Sequence, residues 1–239
     1  MALPDTLAVL LSATELRQRL AAPGADVLVV DVSFDLADTA AGERAFAAGH
    51  VPGAVYLHLD RDLSGAKTGR NGRHPLPDRA AFARRMGEAG CQDDLPVVAY
   101  DASGGMYAAR LWWMLHWAGH ARAAVLDGGW PAWRAAGGDW VAGDAPDRAP
   151  GGFSLRSARV ASVDLAAVRA GLGRGQRLIV DARSPDRFRG ENETLDPVAG
   201  HIPGAANRFF KDNLAADGRF KPAASLRAEW QALIGGRSA

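Results

Sequence analysis

Cysteine is all but absent: Cys91 is the only one in 239 residues. That excludes an internal disulfide and any multi-cysteine metal site, and it fits a reducing compartment. An excess of one charge is also lacking. The formal net charge is +1 and no Lys/Arg run forms a basic stripe, so no nucleic-acid partner is expected and a substrate must be recognised locally. No apolar run approaches the roughly 20 residues that a membrane span needs, and the N-terminus lacks a basic region followed by a long apolar stretch. The expectation is a cytosolic protein with no membrane partner. None of the six histidines has convincing ligand spacing, so no metal is expected. With neither a dinucleotide fingerprint nor a Walker sequence, no cofactor is expected either.

What is present is enough apolar residue for a core. Hydrophobic residues make up 48% and charged residues 23% of the chain, a globular balance. Two stretches are nearly the same: Gly49-His50-Val51-Pro52-Gly53-Ala54 and Gly200-His201-Ile202-Pro203-Gly204-Ala205. Each follows an apolar run ending in aspartate, Val27 to Asp31 and Leu178 to Asp181. The aspartates are 150 residues apart and the histidines 151. One Gly-His-x-Pro-Gly could be an ordinary turn, because Pro fixes φ and Gly takes the positive-φ position. Two copies at matching distances from matching strands indicate an internal duplication, hence two domains.

Strand and helix patterns alternate along both halves. Ser12 and Glu15 have capping-box spacing ahead of a helix over 14–20, and Asp78 can cap a helix over 79–89. Residues 34–49 read as a small, polar connection, and 60–77, with its glycines and prolines, as a long functional surface loop. Val97 to Tyr100 reads as a buried parallel strand, followed by the loop Asp101 to Gly105 and an apolar helix from Met106 to Ala118. Ala123 to Leu126 supplies another strand, and Asp127-Gly128-Gly129 a tight turn. The fold class is α/β with mainly parallel sheets flanked by helices. The domains are expected at 1–142 and 153–239, joined by a Gly/Pro-rich linker at 143–152. In the second, Ser162 is expected near a helix start, with a strand over 178–181 and a helix over 225–234.

Chemistry is expected where a Gly-rich loop runs into a helix N-terminus, because backbone N–H groups converge there on one point. A thiol placed first in such a loop would have its pKa lowered and become a nucleophile. In the first copy that position is Asp101, which cannot carry sulfur and would repel an anion.

The duplicated Asp and Gly-His-Val/Ile-Pro-Gly-Ala motifs, the run Tyr100-Asp101-Ala-Ser-Gly-Gly-Met-Tyr-Ala-Ala-Arg-Leu-Trp-Trp-Met, and Leu126-Asp-Gly-Gly-Trp130 resemble the tandem-rhodanese sulfurtransferases. These act on thiosulfate or mercaptopyruvate, and the resemblance covers nearly the whole chain. It implies two rhodanese-like domains, the first inactive with Asp101 at the cysteine position. A cysteine in the second takes sulfane sulfur as a persulfide and passes it to a thiol or cyanide acceptor. Arg183 and Arg187 match the arginines that hold the anionic donor, whose carboxylate or sulfonate-like oxygens suit guanidinium forks. His74 matches a first-domain residue that faces the active site. The plainer alternatives are that one arginine pairs with Asp181 or Glu191, and that His74 is locally bonded.

A second copy as long as the first would run to about residue 283, so the catalytic cysteine is expected beyond Ala239 and the second domain incomplete. An open apolar slot beside the strand Leu178 to Asp181 is then expected, with self-association through it as one outcome. Cys91 reads as a small buried residue, so the chain is expected to be inactive alone. The rival expectation is a catalytically dead rhodanese-like protein that binds an anion or a partner.

Overall fold

The computed structural model describes residues 7–24, 26–175, 177–235 and 237. The chain divides into two compact units, 1–161 and 162–239.

The first unit is an all-parallel five-stranded sheet. Its strands are β1 (Leu10–Leu11), β2 (Leu28–Asp31), β3 (Val55–Tyr56), β4 (Val97–Tyr100) and β5 (Ala123–Leu126), in the order β1-β5-β4-β2-β3. Its helices are α1 (Ala13–Ala21), α2 (Ala41–Ala48), α3 (Arg79–Glu88), α4 (Met106–Trp117) and α5 (Gly129–Ala135). Strands β2, β4 and β5 are buried along their whole length, as their unbroken apolar runs require in a sheet covered on both faces. Leu28, Val30, Val97 and Ala99 face a core with Phe82, Met86, Leu111 and Met114. Val29, Val98, Tyr100 and Leu126 face the opposite core with Leu16, Phe46 and Trp133. The capping box forms as expected. The Glu15 amide donates to Ser12 Oγ at 3.2 Å and the Ser12 amide to Glu15 Oε2 at 2.9 Å.

Two segments differ from expectation. Residues 34–49 contain α2, which has no side-chain cap but carries Phe46 into the core. Residues 143–161, the expected linker 143–152 among them, lie against the first unit. The Gly143 amide donates to the Ala47 carbonyl (2.8 Å), that of Gly151 to Gly87 (2.8 Å) and that of Arg156 to Ala118 (3.0 Å). Gly151 allows this approach, because a Cβ there would stand 2.1 Å from the Cys91 carbonyl oxygen. The segment is thereby tied to the first unit at several points, and the division between units falls after Ala161 rather than within 143–152.

The second unit holds α6 (Leu165–Gly171), β6 (Val180–Asp181), α7 (Pro185–Arg189), β7 (Ala206–Asn207), a 3-10 turn (Phe210–Asn213) and α8 (Ala223–Ile234). Asp164 caps α6 through the Ala167 amide (2.7 Å), so the cap lies two residues after the expected Ser162. β6 and β7 pair in parallel, Val180 with Ala206 and Asp181 with Asn207, repeating the pairing of β2 with β3. Among its described residues none is fully buried. A cavity of about 540 Å³ lies beside β6, lined by Val168, Leu172, Leu178, Ile179 and Ile202 among others. By the repeat, Ile179 and Ile202 correspond to Val29 and Val51, which are covered in the first unit by Val98, Tyr100, Leu126 and Trp133.

Candidate functional site

The loop after β4 is the first unit's candidate centre. Asp101 is fully buried, and its carboxylate takes every converging amide. Oδ1 accepts from Ser103 (2.7 Å) and Gly105 (2.9 Å), and Oδ2 from Tyr107 (2.9 Å) and Ala108 (3.0 Å). Rather than only repelling an anion, as the sequence predicts, the Asp101 side chain itself fills the anion cradle. The loop is clamped from behind by the Asp-Gly-Gly-Trp turn. The Trp130 amide donates to the Asp101 carbonyl at 2.9 Å, and a Cβ on Gly129 would lie 2.1 Å from that oxygen.

The repeated motif residues serve the same local purpose in both units. Asp31 Oδ1 accepts from the Ser33 amide (2.8 Å) and Asp181 Oδ1 from the Arg183 amide (3.0 Å). Their surroundings differ. Burial pushes the Asp31 carboxyl up, whereas hydrogen bonds from the Arg183 guanidinium hold Asp181 down. His50 stacks on Phe46 (centroids 3.7 Å apart) with Nδ1 2.8 Å from the Phe46 carbonyl. His201 repeats this on Phe188, at 3.7 Å and 2.7 Å. Both histidines brace their turns.

His74 lies in the 60–77 loop, with Nε2 3.3 Å from Asp60 Oδ1 and its ring edge-on to Phe34. Burial lowers its pKa against the pull of Asp60. Arg110, from α4, pins the loop by donating to the carbonyls of Leu63 (2.8 Å) and His74 (3.1 Å). Neither Asp60 nor Arg110 was singled out from the sequence.

Arg183 and Arg187 are brought together in the second unit by a shared carboxylate. Glu193 Oε2 lies 3.2 Å from Arg183 Nη1 and 2.9 Å from Arg187 Nη2. Arg183 also grips Asp181 (2.6 Å) and the Gly200 carbonyl (2.6 Å), and Arg187 reaches Asp196 (3.0 Å). Of the two plainer partners, Asp181 is used by Arg183, while Glu191 is taken by Arg189 (2.7 Å). Burial alone would raise the Glu193 carboxyl. The amides of Asp196 and Leu195 and the Arg187 guanidinium hold it down to about 2.

Cys91 is buried and unsuited to nucleophilic work. Burial, reinforced by Asp93, pushes its thiol up to about 12. Among the described residues no group of three or more His, Cys, Asp or Glu could hold a metal ion, and no helix is long and apolar enough to cross a membrane.

Residues 12–136 match the family model described as a Rhodanese-like domain. A probable 3-mercaptopyruvate sulfurtransferase from Pseudomonas aeruginosa is 45% identical over 232 residues, covering 96% of this chain and 81% of the relative. A thiosulfate sulfurtransferase from Gallus gallus is 30% identical over 202 residues, covering 83% of this chain and 68% of the relative. Among solved structures, the 3-mercaptopyruvate sulfurtransferase from Leishmania major is similar with a TM-score of 0.81 at 30% identity. That match covers 97% of this chain and 63% of the other.

Proposed function

The chain belongs to the rhodanese family, and on that premise we propose that it serves sulfur transfer of the thiosulfate/mercaptopyruvate type. Sulfane sulfur passes from an anionic donor, through a cysteine persulfide, to a thiol or cyanide acceptor. Arg183 and Arg187 hold the donor, and His74, beside Asp60, is the first unit's candidate for substrate contact. The nucleophile is not among these 239 residues, since Asp101 carries no sulfur and Cys91 is buried with a raised pKa. These 239 residues by themselves therefore turn nothing over. A cytosolic setting suits it, because a single thiol needs no oxidising compartment.

The observation that carries the reading is the convergence of Arg183 and Arg187 on one carboxylate directly after β6, where two guanidinium forks can address one small anion. The test extends the chain with a C-terminal segment carrying the cysteine loop that the rhodanese resemblance implies and measures sulfur transfer to cyanide. Arg187→Ala should lower kcat/KM by roughly one to three kcal/mol of transition-state stabilisation, the scale of a lost charged hydrogen bond. Unchanged kinetics would remove Arg187 from the site. A second reading, a rhodanese-like protein that binds an anion or a partner without catalysis, is favoured by the burial of the only thiol. An extended chain that binds thiosulfate but stays inactive would select it.

A further inference from the structure

We propose that Asp196 is an internal competitor of the donor: its carboxylate occupies the Arg187 guanidinium and leaves when an anionic donor binds. This rests on the reading that Arg187 contacts the donor.

The two carboxylates on Arg187 are not equivalent. Glu193 is enclosed, with its side chain 3% exposed; its Oε1 accepts from the amides of Leu195 and Asp196, each at 2.9 Å, and its Oε2 serves both arginines. Removing it would open both guanidinium groups and unpair two amides. Asp196 meets the Nη2 of Arg187 at 3.0 Å from the outer side, with its side chain 35% exposed. It stands between α7 and β7, in a stretch without regular structure. A half-exposed carboxylate can return to water at little cost, whereas an enclosed one cannot.

Charge points the same way. Asp181, Glu193 and Asp196 face Arg183 and Arg187, so at neutral pH the cluster carries one negative charge in excess. An incoming anion adds to that excess unless a carboxylate withdraws. Asp181 is held by the Arg183 guanidinium through both oxygens and by the Arg183 amide. Asp196, the most exposed of the three carboxylates, is the one placed to exchange, and no covalent bond is made or broken when it does.

The test measures thiosulfate binding to the 239-residue protein by titration calorimetry at fixed ionic strength and, in proteins that keep Arg187, follows its side-chain N–H resonance. Asp196→Asn should tighten binding about three- to tenfold, the range for loss of one partly exposed charge pair. Glu191→Gln removes the same charge from the same stretch but touches only Arg189, and should change affinity by less than about twofold. Equal gains in both variants would reduce the effect to general electrostatics and overturn the proposal, as would neutral or weaker binding in a folded Asp196→Asn. Binding that Arg187→Ala leaves intact, or its absence from every variant, would overturn instead the reading on which the proposal stands, and the proposal with it.

Discussion

Asp101 Oδ2 lies 2.9 Å from the amide nitrogen of Tyr107, in the first turn of α4, and so does in the first unit what a bound anion would do. Three more amides complete its shell. Asp101→Asn would turn an N–H group toward donors and leave buried amides unpaired. Its expected cost to the first unit is about 3 kcal/mol or more by chemical denaturation, since buried charged hydrogen bonds contribute about 1.5–3 kcal/mol each and add imperfectly. A loss below about 1 kcal/mol would contradict the assignment of Asp101 as the cradle's occupant.

Acid should act on the two units differently. The folded-state pKa values of Asp181 and Glu193 are lowered, so their contribution is present above the ordinary carboxylate range and is lost as pH falls through the folded values. Buried Asp31 has the opposite sign. Its pKa is raised, so its contribution is full below the ordinary range and lost as pH rises through the folded value. Lowered carboxylates of the first unit, such as Asp38 and Glu43, sit in exposed pairs that contribute little, so the second unit should unfold first on acidification, between about pH 4 and pH 2. Trp230 is its only tryptophan, and its indole N–H signal should vanish while those of Trp112 and Trp133 persist. Simultaneous loss would count against the account.

Protection should follow burial. β2, β4 and β5 are wholly buried, whereas no described residue of the second unit is. Amides of β2, β4 and β5 are expected to exchange slowest, and limited proteolysis should leave a core fragment ending near Ala161. Cleavage at the ends of 143–152 is not expected, because the Gly143 and Gly151 amides are tied to α2 and α3. A protease-resistant second unit, melting cooperatively with the first, would contradict this.

The parts legible in the sequence are those whose signal is local. The apolar runs ending at Asp31 and Asp181, the repeated Gly-His-x-Pro-Gly, the Ser12–Glu15 box and the step from β4 through Asp101 into α4 each carry their own pattern. Other elements depend on partners distant in sequence. β1 has two residues and exists by pairing Leu10 with Val125. α2 starts at Ala40 without a capping side chain, so nothing announces it. Gly and Pro make 143–152 read as a tether, although Gly151 permits its close approach to the backbone just after α3. At the candidate site, of the carboxylates that pair with Arg183 and Arg187, only Asp181 is legible in the sequence. Glu193 and Asp196 lie in an acid-rich stretch whose closure, through the amides of Leu195 and Asp196, selects which carboxylates turn inward.

The most direct test of the central claim is a sulfur-transfer assay on the 239-residue chain, with thiosulfate or mercaptopyruvate as donor and cyanide as acceptor, beside Cys91→Ser. The account predicts no thiocyanate above blank from either protein, and native Cys91 that resists a thiol reagent until denaturant is added. Turnover well above blank that Cys91→Ser abolishes would contradict it.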